Sequence, residues 1–372
     1  MKLPPARVTI PEHDFDEILS DFTKVLKSGR MTLGPYTEAF ESEYASFMGS
    51  GYAVAVNSGT SALEIILRCL DATGKKVIIP TNTFFATPAA ALHTGARVTL
   101  VDVGNHMMMD PTQLEESLDS NTAAVVVVHI GGYVHPEICL IRDICSDHHV
   151  PLIEDAAHAQ GSRLRGKLAG GFGEAAAFSF YPTKVITAGE GGMITTNDLS
   201  VVKRAKILRD QGKASFNTNY HVELGYNWRM CELNAIVGLH QLRHLEEFVT
   251  HRRAIAERYA EGLRVVDGLT PLAYPSESTP NFYKYIAILG DGVSRARVKS
   301  ELKTKYDVSL SGEVYEVPCH LQPVFKSAQV DRHGEMREAE RVCDRHVCLP
   351  VYSDMTASEQ EYALSALGSV FT

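Results

Sequence analysis

Val150-Pro151-Leu152-Ile153-Glu154-Asp155-Ala156-Ala157-His158 opens a stretch that closes on Ser179-Phe180-Tyr181-Pro182-Thr183-Lys184, and the reading of these two pieces decides the fold. Val150 to Ile153 is apolar and bounded by turn formers, the pattern of a short strand buried on both faces of a parallel sheet. Such a strand delivers Asp155 at its carboxyl end. Ala175 to Phe180 reads as a second strand of the same kind, and the loop after it carries Lys184. Ligands of open α/β sheets bind at such strand ends.

Outward from this stretch, apolar runs alternate with amphipathic ones. Val77 to Pro80, Arg97 to Val101, Ala123 to Val128 and Met193 to Thr196 read as strands, and Thr87 to His93, Glu137 to Asp147 and Leu199 to Gln211 as helices. Alternation with short connections describes a mainly parallel α/β sheet sandwiched by helices. From Cys231 to Leu263 the stripe Leu233, Ile236, Val237, Leu239, Leu242 and Leu245 predicts one long helix that links two domains. Beyond Asp267-Gly268 the character changes to a small α+β unit. It has a strand over Tyr283 to Leu289, a helix over Ser294 to Tyr306, and helices near both ends of Glu335 to Leu367, the last capped by Thr356-Ala357-Ser358-Glu359. The expected division is a large domain over 1–245 and a small C-terminal domain over 246–372.

A carboxylate and an amine at neighbouring strand ends are the pair that pyridoxal phosphate chemistry needs. The lysine holds the aldehyde as a Schiff base, and the acid keeps the pyridine nitrogen protonated so that the ring accepts electrons. Taken singly, a loop lysine is most often a solvated charge and an acid at a strand end a helix cap. A third piece adds weight. Asn57-Ser58-Gly59-Thr60-Ser61-Ala62 follows the strand-like Tyr52 to Val56 and opens an apolar-periodic helix, a place where free N–H groups and the helix dipole favour a phosphate.

With these pieces in order, the sequence resembles the DegT/StrS family of sugar-nucleotide aminotransferases, enzymes of fold type I among pyridoxal phosphate proteins. The likeness runs over nearly the whole chain. It is carried by Ser58-Gly59-Thr60-Ser61-Ala62, Thr83-Phe84-Phe85-Ala86-Thr87, Glu154 to His158, Phe178 to Lys184, Gly189-Glu190-Gly191-Gly192, Gly225-Tyr226-Asn227-Trp228-Arg229 and Tyr315 to Pro323. The resemblance implies a large domain with a seven-stranded, mainly parallel sheet. It also implies that Lys184 and Asp155 are catalytic, that Phe84 stacks on the cofactor ring, and that Gly59, Thr60 and Ser179 hold its phosphate. His158, where many relatives have glutamine, would bond the phenolic oxygen, and its protonation state is left open. Asn227 would reach the neighbouring subunit's cofactor, making a homodimer with shared active sites. Arg229 and His320 are the expected substrate-binding residues, with Lys24, Lys27 and Arg30 as further cations for a diphosphate.

The implied activity moves an amino group from glutamate to a nucleotide-linked 4-keto-6-deoxy sugar, most naturally a dTDP sugar, through pyridoxamine phosphate. A 3-keto acceptor is the nearest alternative. A sugar dehydratase dependent on pyridoxamine phosphate is another, although that branch replaces the lysine with histidine. A non-enzymatic regulator has little use for a complete Asp155 and Lys184 pair.

Composition narrows the classes. The chain has 372 residues, 45% of them hydrophobic and 22% charged, enough for a sizeable core. A net charge of −9 argues against nucleic-acid binding, which needs a clustered positive surface. The longest apolar run, Ala123 to Val128, is far shorter than the roughly 20 residues of a membrane-spanning helix, and Met1 to Pro5 lacks a signal peptide's apolar segment. A cytoplasmic location is therefore expected. The seven cysteines include no Cys-x-x-Cys, and the histidine clusters at Asp147-His148-His149 and Cys343 to His346 lack partners at ligand spacing, so no metal site is expected.

Overall fold

The computed structural model describes residues 1–326 and 329–371. Its centre is an eight-stranded sheet. From one edge to the other its strands are Tyr52–Val56, Gly192–Thr196, Ala175–Ser179, Leu152–Asp155, Thr122–Val128, Lys76–Pro80, Arg97–Val101 and Val330–Arg332. Gly192–Thr196 runs antiparallel to both of its neighbours, and every other pairing is parallel. The seven strands expected from the resemblance are joined by an eighth at the edge, where Val330 pairs with Val98 and Arg332 with Leu100. Strands buried on both faces explain the unbroken apolar runs: Val77, Ile78, Ile79 and Ala124 to Val127 are wholly buried.

One strand end differs from its sequence reading. The strand expected over Val150 to Ile153 spans Leu152–Asp155, because two acids continue it. The Glu154 carboxylate is fully buried yet satisfied: it accepts from the N–H groups of Gly170, Phe172 and Gly173 and bonds His129 Nε2 at 2.8 Å. The Gly170-Gly171-Phe172-Gly173 turn is thus wrapped around this acid. Burial of a charge is tolerated when hydrogen bonds replace water in this way.

Two apolar clusters flank the sheet. One contains Phe40, Tyr44, Phe178, Phe180 and Leu239, and the other Leu63, Ile66, Ile79, Val98 and Val202. A third builds the C-terminal unit around Tyr259, Ile286, Leu302, Val347 and Leu367, under a three-stranded antiparallel sheet of Leu269–Pro271, Tyr285–Leu289 and His346–Leu349. Leu3 packs into this third cluster, where its N–H reaches Asp307 O at 3.0 Å. The single long helix expected over Cys231 to Leu263 is two helices, Glu232–Arg243 and Leu245–Gly262, broken at His244. Leu245, Phe248 and Val249 belong to the first cluster, whereas Ile255, Ala256 and Tyr259 belong to the third. The final helix Ala357–Phe371 opens on a reciprocal cap: Thr356 N–H donates to the Glu359 carboxylate at 2.8 Å and Glu359 N–H to Thr356 Oγ1 at 3.2 Å.

Glu232 anchors the helix Pro35–Met48. Its oxygens accept from the N–H groups of Gly34, Tyr36 and Thr37, each at 2.9 Å, and from the Thr37 hydroxyl. A carboxylate at a helix N-terminus satisfies orphan donors and complements the dipole. Among the described residues no helix is long and apolar enough to cross a membrane.

Candidate active site

At the carboxyl ends of the central strands lies a cavity of about 410 Å³. Gly59, Thr60, Phe84, Asp155, His158, Ser179 and Lys184 all line it, as do Tyr283 and Tyr315 from the C-terminal unit. Asp155 ends its strand with a buried carboxylate. Oδ2 accepts from the Thr87 hydroxyl at 2.8 Å and Oδ1 from Ala157 N–H at 3.2 Å, while Thr87 is in turn held by Thr83 at 2.7 Å. Burial raises the acid's pKa, against the opposing pull of the Thr87 hydrogen bond.

Lys184 enters from the loop after Ala175–Ser179, its Nζ 4.7 Å from the centre of the Tyr283 ring. Burial lowers its pKa to about 7; the Asp155 charge opposes that shift and Lys284 adds to it. An amine with that affinity is substantially neutral near pH 7. Neutral amines attack carbonyls and take up protons.

The phosphate-sized corner is built from backbone. Ser58 caps the helix Gly59–Cys69 by accepting from Ser61 N–H at 3.1 Å, which leaves the first N–H groups facing the cavity. A Cβ on Gly59 would stand 2.9 Å from Ser179 Cβ, so only glycine lets this helix end approach the strand. Gly192 has the same role beneath it, since a side chain there would meet Ser58 O at 2.2 Å.

His158 is held as a neutral ring. Nδ1 accepts from Gly131 N–H at 3.3 Å, so the proton is assigned to Nε2, which lies 3.2 Å from the Tyr315 hydroxyl. Burial, with Lys184 and Lys284 nearby, pushes its pKa well below the usual histidine value. The charge state that the sequence left open is thereby resolved in favour of neutrality. Gly131 and Gly132 sit at φ 65° and 93°, the left-handed turn that brings this N–H to His158.

The matching family model is described as the DegT/DnrJ/EryC1/StrS aminotransferase family, and it spans residues 13–368. The chain belongs to this family. It is 32% identical over 370 residues to the spore coat polysaccharide biosynthesis protein SpsC of Bacillus subtilis, covering 95% of this chain and 94% of that one. It is also 32% identical over 366 residues to a dTDP-3-amino-3,4,6-trideoxy-alpha-D-glucose transaminase of Micromonospora megalomicea, covering 97% and 96%. Among solved structures, DesV of S. venezuelae in complex with a ketimine intermediate superimposes with a TM-score of 0.89 at 30% identity, covering 96% and 95%. The protein is a pyridoxal phosphate-dependent sugar aminotransferase.

The cavity fits the cofactor of this family on its own chemistry. The glycine-lined helix end suits a phosphate, Asp155 offers a buried anion to a ring nitrogen, and Lys184 offers a neutral amine. Nε2–H of neutral His158 can donate to a phenolate, and Phe84, 56% exposed, presents a free aromatic face.

Three expected residues lie outside this chain's own cavity. Asn227 is exposed, Arg229 is bound to Asp210 at 2.6 Å, and His320 is buried between Thr81 Oγ1 at 2.7 Å and Glu340 at 3.1 Å. His320 therefore braces the segment that carries Tyr315 and does not line the pocket. Lys24 and Arg30 also lie elsewhere, paired with Asp21 and Glu38. Among the described residues, the group of metal-ligand types that comes together is His13, Asp14 and His244. It sits at the helix break, with His244 Nε2 on Asp14 at 2.8 Å.

Tyr283, Asn281 and Thr87 had no role in the sequence reading. Asn281, fully buried, donates to the carbonyls of His158 and Gln160, both at 2.8 Å, and so ties the C-terminal unit to the His158 loop. Thr87 stood inside a quoted motif, four residues after Thr83 at helical spacing, and that was the signal available.

Proposed function

We propose that the protein transfers the amino group of glutamate to a dTDP-linked 4-keto-6-deoxy sugar and releases the 4-amino sugar. The observation that carries this reading is Lys184, an amine partly neutral near pH 7, in one cavity with the buried Asp155. When bound, pyridoxal phosphate supplies an aldehyde for the amine and a protonated ring that accepts the electrons released at the reacting carbon. Asp155 would hold the ring nitrogen's proton. Gly59, Thr60 and Ser179 would bind the phosphate, His158 would donate to the phenolic oxygen, and Phe84 would cover a ring face. The Lys184 amine would hold the aldehyde and, when free, would carry a proton to and from the donor's α-carbon.

The working unit in this reading is a homodimer. Asn227 and Arg229 lie on a segment whose Tyr220 and Leu224 are 70% and 94% exposed, and in a second copy these residues complete the neighbour's site. A specific observation favours a second reading of the acceptor: the Micromonospora relative is named for a 3-amino sugar, which favours a 3-keto group.

The test is to offer 3-keto and 4-keto dTDP- and UDP-sugars with glutamate, measure 2-oxoglutarate, and place the new amine by NMR. An amino sugar with equimolar 2-oxoglutarate is expected. A deoxygenated sugar without 2-oxoglutarate would overturn the transfer in favour of dehydration.

A further inference from the structure

Lys284 adjoins the cavity-lining Tyr283, and the proposed function gives its charge no work. It stands just ahead of the strand Tyr285–Leu289, its backbone N–H fixed to Gly131 O at 2.9 Å, next to the turn that holds His158. Its side chain is mostly buried, and its Nζ lies 5.2 Å from the centre of the Tyr283 ring. Lys184 Nζ lies 4.7 Å from the same centre. Two amines therefore share one phenol ring.

Among the described residues the Lys284 amine has neither an ion pair nor a hydrogen bond. The acid that acts on it, Glu313, is taken: both its oxygens bind Lys299 at 2.9 Å. Arg252 adds a further buried cation and is satisfied by the carbonyls of Phe282 and Val351 and by the Ser353 hydroxyl, with no carboxylate on it. In a protein of net charge −9, Lys284 lies near enough to the cavity-lining Lys184 and to Arg252 for their positive charges to act on one another. A buried ammonium without a counter-charge is costly, and burial lowers the Lys284 pKa accordingly. An anion arriving with the substrate removes that cost.

We propose that Lys284 is a substrate-binding residue that receives a carboxylate of the amino donor. Reach selects the carboxylate over the sugar's diphosphate. Lys284 and Lys184 lie 5.2 and 4.7 Å from the centre of the same ring, so an anion on Lys284 stays within a small molecule's span of the reacting amine. In an α-amino acid the carboxylate is bonded to the very carbon that bears the nitrogen. In a nucleotide-linked sugar the diphosphate is on C1, two or three ring carbons from a 3- or 4-keto group. This inference rests on the reading of glutamate as donor.

The experiment compares the cofactor-loaded wild type with Lys284→Met, Lys284→Gln and Lys284→Arg. Calorimetry gives the affinity for glutarate, a dicarboxylate that cannot react, and for dTDP. Stopped-flow absorbance gives the glutamate concentration that half-saturates the first half-reaction. In both neutral variants glutarate affinity should fall at least tenfold and half-saturation rise by a similar factor. Lys284→Arg should restore most of the loss, and dTDP affinity should stay within twofold. Two neutral variants guard against a folding defect in one, and near-ultraviolet circular dichroism verifies both. Glutarate binding and glutamate saturation within twofold of wild type overturn the assignment, as does a loss confined to dTDP. A wild type that does not react with glutamate in the half-reaction refutes the donor reading itself, and that result is distinct from a Lys284 variant matching an active wild type.

Discussion

The Tyr315 hydroxyl stands 3.2 Å from Nε2 of His158, so a residue of the C-terminal unit meets the loop that follows the Asp155 strand. With Nδ1 of His158 occupied by Gly131 N–H, Tyr315 is an acceptor for the remaining ring proton, which it would share with the phenolic oxygen of a bound cofactor. Tyr315 is itself positioned by Asn82, whose Oδ1 takes its N–H at 3.0 Å, and its ring faces Phe84 at 5.7 Å.

Tyr315→Phe removes one hydrogen bond and keeps the ring. The expected result is a roughly threefold to tenfold lower turnover, the equivalent of about 1 kcal/mol for a single bond. Cofactor content should be unchanged. Steady-state kinetics beside the visible absorbance of the loaded protein checks both, and loss of the cofactor would show that Tyr315 does more than orient His158.

Asp155→Asn keeps the shape of the strand end and removes its charge. Turnover should fall by about a hundredfold or more, on the scale that misplaced proton handling costs enzymes. The phosphate corner at Gly59 and Ser179 is untouched, so pyridoxal phosphate should still bind. Kinetics and equilibrium dialysis separate the two effects, and undiminished turnover contradicts the role given to Asp155.

A third expectation concerns pH. The Lys184 pKa is lowered by burial from the ordinary lysine value to about 7, so the folded protein releases this proton over a range in which an unfolded chain still holds it. Stability from this group is therefore least below pH 7 and rises between about 7 and the unfolded lysine value. Reactivity follows the same proton. The rate at which cofactor-free protein takes up pyridoxal phosphate should climb with a midpoint near pH 7, followed by stopped-flow absorbance. A midpoint above pH 9 would mean that Lys184 is solvated.

Sharing of sites can be tested by mixing. Lys184→Ala chains and Asn227→Ala chains, each inactive or impaired alone, should regain part of the activity when co-refolded, because one site in each mixed dimer carries both native residues. No gain over the unmixed variants would argue that each chain completes its own site.

Much of this arrangement was legible in the residues, and the gaps have physical causes. The strands Arg97–Val101 and Gly192–Thr196 match their sequence readings to within a residue, because sheet burial writes itself as apolar runs. Leu152–Asp155 was read two residues early, since nothing in Glu154 announces that three backbone N–H groups and His129 await it. The break at His244 has no glycine or proline to mark it; its partner Asp14 lies 230 positions away. The edge strand Val330–Arg332 is too short and too polar to show a pattern. In the cavity, motif positions placed Gly59, Asp155, Ser179 and Lys184, whereas Tyr283 and Asn281 arrive from distant chain and could not be seen locally. His320 carried a motif's signature, and its side chain turned out to serve Thr81 and Glu340.

Asn281 makes the cavity a joint. Its amide grips the carbonyls of His158 and Gln160 while Tyr283 and Tyr315 roof the pocket from the same side. A chain severed ahead of Asn281 would retain seven of the eight central strands, the acid and the lysine, yet its amine would be bathed in water and regain ordinary basicity. Dryness, imposed by the far end of the polypeptide, is what turns a common surface-type side chain into a reagent.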